Sequence, residues 1–388
     1  MESNFSFSFA GDDIEEDAGQ QQSVLPLKKS PAQAAPSVST TPASANAFPV
    51  QGKPLLPPAH HDLDHMLSRL PSKIAFGTLS VDLDGAGRTI QIPRRELWDV
   101  RVQLMAEEGQ EEGESQQQQP GLGEHDVKTG IYEGGFKSWE SSVDLVKVMA
   151  AEKIPHVLNR NPSVLIELGC GTALPSLALF QWALAERRAA TSGRDKVPLV
   201  LTLADYNPSV LYLVTLPNFI LAWALEQRGR GENPVLEEAF SSDEELDLTP
   251  EVLAAFKASL ASSQITLSFL SGAWSPEFVE LLYQSSFSAG LAEAAGDVNT
   301  LVIGAETIYS PFALESFAQT LLSILERERR ERPSGYAAAI IGAKRLYFGV
   351  GGSLDDFVDR MEGFGASVET LHEEAEGVRR GVVRCLLS

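Results

Sequence analysis

The sequence predicts an α/β protein: a mostly parallel, Rossmann-like sheet that closes on a C-terminal antiparallel hairpin, preceded by a disordered tail and a small β extension. Three observations predict it. Short apolar runs alternate with stretches of helical composition, the pattern of a parallel sheet covered on both faces. The first run ends in a Gly-x-Gly turn. The last two runs follow each other with no room for a helix between them, so they must pair antiparallel.

In order, Val164–Leu168 is the first strand, ending in Gly169-Cys170-Gly171, and Ala173–Glu186 follows with helical composition. Leu199–Ala204 ends at Asp205, and Pro208–Leu225 reads as a helix. Gln264–Leu270 and Thr300–Ala305 are further strands; Pro311–Arg329 is the helix before the strand Tyr336–Ala343, and Ser353–Phe364 is the next helix. Ser367–Leu371 and Val382–Leu387 form the closing hairpin, giving five parallel strands and a reversed last pair. Arg187–Lys196 and Arg228–Pro250 read as polar insertions in a domain spanning residues 126–388.

Residues 1–70 are rich in Pro, Ala, Ser and Gln, and are expected to be a disordered tail because they cannot bury enough apolar area to offset chain entropy. Within them Phe5-Ser6-Phe7-Ser8-Phe9 places three aromatics on one side of an extended strand, which is open to two readings, a short docking motif or a solvated tail. Residues 71–125 form the extension. Lys73–Asp82 and Arg88–Ile92 flank Asp84-Gly85-Ala86-Gly87 as a β-hairpin, and Trp98–Ala106 is helical or extended. Glu107–Glu124, with six glutamates, is either an inserted loop or an acidic collar for a basic substrate.

Composition narrows the function. With 31 Lys+Arg against 53 Asp+Glu the net charge is −22, which disfavours nucleic-acid binding and suits a basic protein partner. Two cysteines, Cys170 and Cys385, make neither a disulfide framework nor a zinc ribbon, so a reducing compartment is expected. The Phe- and Ser-rich start is not Lys/Arg-led, so no signal peptide is expected, and no run reads as about 18 uncharged apolar residues, so no membrane span is expected. The six histidines suggest no metal site.

Four elements carry chemistry. The strand into Gly169-Cys170-Gly171 lets a ligand approach the backbone, but Leu174 at the third glycine position argues against a pyrophosphate. Asp205 can accept from both ribose hydroxyls of an adenosine, or can cap the helix at Pro208, a task Asn207 could also serve. Gly272-Ala273-Trp274 puts an indole at a strand end, suited to adenine or to the core. Ala305-Glu306-Thr307-Ile308-Tyr309 ends the fourth strand. In open α/β sheets these ends share one rim, and together they describe a site of the S-adenosylmethionine type.

Tyr132–Ser141 (YEGGFKSWES), Glu167–Gly171 (ELGCG), Asp205-Tyr206-Asn207, Thr215–Asn218 (TLPN), Glu306–Tyr309 (ETIY) and Tyr347–Gly352 (YFGVGG) resemble the protein-histidine methyltransferases of the seven-β-strand class. The resemblance covers residues 126–388 and includes the Phe5–Phe9 start. It implies S-adenosylmethionine as cofactor and, as substrate, a histidine of the large-subunit ribosomal protein L-three, methylated at the tele nitrogen. It also implies a distribution between cytoplasm and nucleus; a monomer is expected, and charge and hydropathy predict no direct contact to nucleic acid or membrane. Carried over, Ser138, Trp139, Glu140, Ser141 and Ser142 line the methionine end of the cofactor. Gly169 and Gly171 pass close to it, Asp205, Tyr206 and Asn207 hold the ribose, Gly272, Ala273 and Trp274 the adenine, and Ala305 the sulfonium side. Ala273 stands where an acidic residue is usual, and Ala305 where a small hydroxyl residue is.

The acceptor type follows from motif and pKa. The chain has ETIY where amide methyltransferases place Asn/Asp-Pro-Pro-Tyr/Phe. A lysine acceptor must lose a proton from a group of pKa about 10.4, whereas histidine, near 6.5, is mostly neutral at pH 7 and needs only its tautomer set. Glu306, Tyr309 and Tyr347 are the candidates for that pocket. Alternatively Glu306 pairs with Lys344 or Arg345, and the tyrosines are core rings. A lysine methyltransferase of the same fold and a cofactor-binding assembly factor without turnover are the other readings.

Overall fold

The computed structural model describes residues 55–108, 127–128, 132–133, 135–189, 196–228, 230, 233–240, 242, 244–291, 298–347, 351–375 and 377–387. The Phe5–Phe9 motif, most of the Glu107–Glu124 stretch and residues 348–350 lie outside them.

The strands are β1 (Ala59–His61), β2 (Lys73–Asp82), β3 (Thr89–Arg95), β4 (Val127–Lys128), β5 (Tyr132–Glu133), β6 (Ser163–Leu168), β7 (Leu199–Asp205), β8 (Glu245–Asp247), β9 (Ile265–Ser271), β10 (Asn299–Ala305), β11 (Ala337–Lys344), β12 (Ala366–Glu374) and β13 (Arg380–Leu387). The helices are α1 (Leu63–Ser68), α2 (Leu97–Glu108), α3 (Glu140–Ala151), α4 (Ile154–Leu158), α5 (Leu174–Ala189), α6 (Pro208–Val210), α7 (Leu216–Gln227), α8 (Pro234–Ala239), α9 (Pro250–Ser262), α10 (Pro276–Gly290), α11 (Pro311–Glu331) and α12 (Leu354–Gly363). A π-helical turn, Leu211–Thr215, joins α6 to α7.

The main sheet has the order β1-β9-β7-β6-β10-β11-β13-β12. The neighbours from β9 to β11 pair parallel, as the apolar runs predict. The expected reversed pair is corrected by one strand. β13 is antiparallel to β11, but β12 is antiparallel to β13 and so runs with the parallel set. The crossover through α12 returns the chain in its original sense before the hairpin turns it once. Residues 55–70, expected in the tail, are ordered: β1 pairs antiparallel with β9, Ala59 opposite Ser271, and Asp62 caps α1.

Burial explains why the strands show no alternation. In β7, Leu199, Leu201 and Leu203 join one core cluster, while Val200 and Ala204 join another on the opposite face. Both faces of the sheet are therefore apolar. The first cluster draws on α3, α5, α7 and α9, the second on α10, α11 and α12. Helix starts are written locally: Thr249-Pro250, Ser275-Pro276 and Ser310-Pro311 each place a capping hydroxyl on an N3 amide and proline at N1.

The β2–β3 hairpin forms as expected, its turn held by Asp82 and Asp84 side chains accepting from Gly85 and Ala86 amides. It is not a separate body. β8, from the Arg228–Pro250 insertion, pairs with β2, and Ile74, Phe76, Ile90 and Ile92 share the first core cluster with Phe180, Phe219 and Trp223. Trp98–Ala106 resolves as helix α2. Contrary to the sequence reading, Pro208–Gln227 is long and apolar enough to cross a membrane by length and composition; 78% of its apolar window is buried, as a core helix.

Candidate active site at the carboxyl ends of the strands

β6, β7, β9 and β10 deliver their loops to one rim. After β6 the chain turns through Gly169 at φ +68°, where an added Cβ would lie 2.5 Å from Thr307 Cγ2 and 3.6 Å from Trp274 Cζ2. The glycine is thus required by conformation and by space. Asp205 ends β7 and is buried. Its Oδ2 accepts from the Gly171 amide at 3.0 Å and its Oδ1 from the Asn207 amide at 3.0 Å. Burial pushes its pKa up to about 6, against the pull of those two amides. Asn207, not Asp205, is the helix cap, its side chain accepting from Ser209 N–H at 3.0 Å. Glu167, one strand over, is pushed up to about 8 by burial and accepts from the Ser176 amide and hydroxyl.

The Gly272–Trp274 segment follows β9. Its Ala273 amide donates to Leu56 O at 3.0 Å, and a Cβ on Gly272, at φ +105°, would meet Pro57 O at 2.5 Å. Tyr206 Oη accepts from Leu56 N–H at 3.1 Å. Residues 55–58 therefore run across this part of the rim, which the sequence did not foretell. Trp274 packs edge-on against Phe317 at 5.4 Å, and its buried Nε1 has no hydrogen-bond partner.

Across the rim, α3 begins at the Ser138–Ser142 segment. Ser138 Oγ shares a hydrogen bond with Thr172 Oγ1 at 2.9 Å, and the Ser142 amide donates to Trp139 O. Glu140 Oε2 is buried without a partner. Ala305, at the end of β10, pairs in register with Gly342, and Glu306 after it takes φ +57°. Its amide donates to Gly342 O at 3.0 Å. Ser141 Oγ donates to one Glu306 carboxylate oxygen and Tyr347 Oη to the other. Burial raises Glu306, while Ser141, Tyr347 and then Lys344 lower it. Burial and the facing Glu306 hold Tyr347 well above the ordinary phenol range. Lys344 is buried with Nζ 5.4 Å from the Trp139 ring centre and 5.9 Å from that of Tyr347. Tyr309 is half-buried in the second core cluster, and its carbonyl accepts from Gly352 N–H at 3.1 Å.

The structure therefore gathers Ser141, Glu306 and Tyr347 into one cluster with Trp139 and Lys344, and brings Gly169 against Trp274 and Thr307, with Asp205 holding the same glycine turn at Gly171. Thr307 and Thr172 were missed by the sequence reading; their only signal is a position next to a strand end. Among the described residues no three His, Cys, Asp or Glu converge as metal ligands.

Placing alanine at Gly169 tests the close approach. G169A combines a left-handed φ with a contact on Thr307 and should cost about 1–2 kcal/mol from φ alone. Adding T307S removes the clashing methyl and should restore part of the loss, read as the thermal unfolding midpoint of the cofactor-free protein.

No family model matches the chain. Histidine protein methyltransferase 1 of Saccharomyces cerevisiae is 35% identical over 303 residues, 76% of this chain and 75% of that protein. The Schizosaccharomyces pombe protein of the same name is 35% identical over 77% and 76%. A Bos taurus homologue is 27% identical over 68% of this chain and 56% of its own length. Magnesium protoporphyrin IX methyltransferase from Synechocystis PCC 6803, solved with bound SAM, matches 64% of this chain and 83% of that chain at 12% identity, but its TM-score of 0.29 carries no argument. S-adenosylmethionine is the cofactor, and the rim fits it: a backbone cradle at Gly169 that a Cβ would fill, a buried carboxylate at Asp205 and an unpartnered carboxylate oxygen on Glu140. With a relative of this identity and coverage, the chain belongs to the histidine protein methyltransferase family.

Proposed function

We propose that this protein-histidine methyltransferase modifies the tele nitrogen of one histidine in a basic ribosomal protein of the large subunit, of the L-three type. The observation that carries the acceptor assignment is the Glu306 carboxylate, held by the Ser141 and Tyr347 hydroxyls at the end of β10. The net charge of −22 suits a basic partner. The protein acts as a monomer in cytoplasm and nucleus on this reading, without binding nucleic acid or membrane itself.

When bound, S-adenosylmethionine supplies an electrophilic methyl group on a sulfonium. In the proposed arrangement Ser138, Trp139, Glu140, Ser141 and Ser142 line its methionine end, with Glu140 offering its spare oxygen to the ammonium. Asp205 accepts from the ribose hydroxyls through the lone pairs its two amides leave, Tyr206 and Asn207 flank it, and Trp274 lies beside the adenine with Gly272 and Ala273. Gly169 and Gly171 admit the ligand to the backbone, and Ala305 faces the sulfonium through its main chain.

On the acceptor side, each Glu306 oxygen already takes one hydroxyl and retains capacity for a further donor. The Nδ1–H of a neutral substrate imidazole is that donor. Accepting it fixes the tautomer and turns the Nε2 lone pair toward the donor pocket. Tyr347, held protonated, keeps Glu306 oriented, since its hydroxyl also takes the Lys344 amide at 3.3 Å. No protein base has to take a proton before attack, because neutral imidazole carries the lone pair; the proton on Nδ1 is lost to solvent after transfer. Most of the rate gain is alignment of donor and acceptor.

Three outcomes are expected. Purified protein given radiolabelled methyl donor and ribosomal proteins from cells lacking it should place label in tele-methylhistidine of one basic protein; label in methyl-lysine overturns the acceptor, and binding without label supports the assembly-factor reading. D205A and G169R should abolish cofactor binding in calorimetry, at some cost in stability but with the sheet still folded by circular dichroism, and retained binding overturns the site. E306Q should keep cofactor affinity while lowering kcat on the order of 100-fold, because an amide does not hold one imidazole tautomer as a carboxylate does.

The pH dependence has a defined sign. Asp205 and Glu167, at about 6 and about 8, titrate above ordinary carboxyls. Their contribution to stability is present below the unfolded value near 4 and is lost as pH rises through the folded values. Ribose hydroxyls donate to ionised Asp205, so cofactor affinity moves the opposite way. Calorimetric Kd should fall between pH 5 and pH 7.5, with proton release near pH 6 seen by comparing buffers of different ionisation enthalpy; D205N should lose that release.

A further inference from the structure

Helix α7 opens with Leu216-Pro217-Asn218. Pro217 has no N–H, so the carbonyl four residues back, on Leu213, loses the donor an α-helix would give it. Arg95, from the end of β3, takes that place: its Nη1 donates to Leu213 O at 2.9 Å. Arg95 is 3% exposed, and its charge is met by Asp99 one helical turn on, Nε to Oδ2 at 2.7 Å. Leu213 lies within the π-helical turn, where Leu216 N–H reaches back to Leu211 O.

Two residues close to this proline, Thr215 and Asn218, hold the glycine turn after β6. Thr215, the last residue of the π-helical turn, donates from Oγ1 to Gly171 O at 2.7 Å. Asn218 donates from Nδ2 to Thr172 O at 3.0 Å, and Thr172 Oγ1 in turn meets Ser138 Oγ at 2.9 Å. The other end of the Asn218 amide accepts from the Arg95 backbone N–H at 2.7 Å. Arg95 thus anchors this stretch twice, by its guanidinium on the π-helical turn and by its backbone on α7. The two carbonyls through which the π-helical turn and α7 hold the glycine turn belong to adjacent residues, Gly171 and Thr172.

We propose that Arg95 is a positioning residue for methyl-donor binding: it replaces the donor that Pro217 removes, sets the π-helical turn, and through Thr215 and Asn218 fixes Gly171 and Thr172. The β2–β3 hairpin is then part of the binding machinery and not an appendage to it. The proposal rests on the reading that S-adenosylmethionine lies on the glycine turn.

A mutant cycle tests it. R95M with D99N removes both charges together, so neither is buried alone. The pair is made in the natural chain and in a P217A background, where the amide N–H restored at that position can meet Leu213 O. In the natural chain KM and calorimetric Kd for S-adenosylmethionine should rise about tenfold or more, the loss of one buried hydrogen bond from a charged donor, with a smaller change in kcat. In the P217A background the same pair should cost under about threefold, because its target is already satisfied. Affinity within about twofold of the natural chain, whatever the unfolding midpoint does, makes Arg95 merely structural and overturns the proposal. Equal losses in both backgrounds overturn it too. Should R95M/D99N not fold, R95K is read the same way, since one ammonium cannot span Asp99 and Leu213 as a guanidinium does. Failure of the underlying site reading is distinguishable: D205A would then bind S-adenosylmethionine like the natural chain.

Discussion

The buried carboxylate of Asp205 is the tie on which the rim depends. Parallel strands stop sharing hydrogen bonds where they end, and the loops beyond β6 and β7 have to find other partners. Asp205 supplies them, one oxygen to the Gly171 amide and the other to the Asn207 amide. An ionised carboxylate out of water is costly unless hydrogen-bonded, and here each side of the contact satisfies the other. Glu167 is raised mainly by burial and to a lesser extent by the nearby Asp205, and its own partners are the Ser176 amide and hydroxyl.

From that tie outward the site is made of backbone in uncommon conformations. Ala173 and Glu306 carry side chains at φ +58° and +57°, a region that costs non-glycine residues on the order of 1 kcal/mol. Each is held by a specific contact: the Ala173 amide on Cys170 O at 2.6 Å, the Glu306 amide on Gly342 O at 3.0 Å. For Glu306 the conformation has a result. It turns the side chain to where Ser141 on α3 and Tyr347 after β11 both reach it, so three separate segments converge on one carboxylate.

The two halves of the rim differ in electrostatic character. On the β6–β7–β9 side the polar groups are carboxylates, amides and an indole. On the β10–β11 side Glu306 faces Lys344, whose ammonium lies over aromatic rings, and Arg380, which is paired with buried Asp144 at 2.7 Å. A cationic acceptor entering there would meet a buried ammonium in a poorly screened setting, while a neutral imidazole would not. This favours histidine over lysine on grounds independent of the glycine turn.

The parallel sheet was legible in the sequence because its strands are apolar on both faces; of the three helices that open on a Thr-Pro or Ser-Pro pair, only the one from Pro311 was read. Gly169 and Asp205 were legible as well, since their spacing is set by one β-α-β unit. The division of labour between Asp205 and Asn207 was not, because either side chain can cap a helix and only the strand ends decide which does. β1 (Ala-His-His) and β8 (Glu-Leu-Asp) were invisible: three residues carry no periodicity, and such strands exist because β9 and β2 offer unpaired edges. Nor could the direction of β12 be read, since it depends on which side of β13 the chain inserts. The pairing of Arg95 with Leu213 joins residues 118 apart in the chain. Local sequence determines which backbone donors are missing, as at Pro217; which distant group fills the gap is decided only when the chain folds and an unsatisfied carbonyl must find a partner.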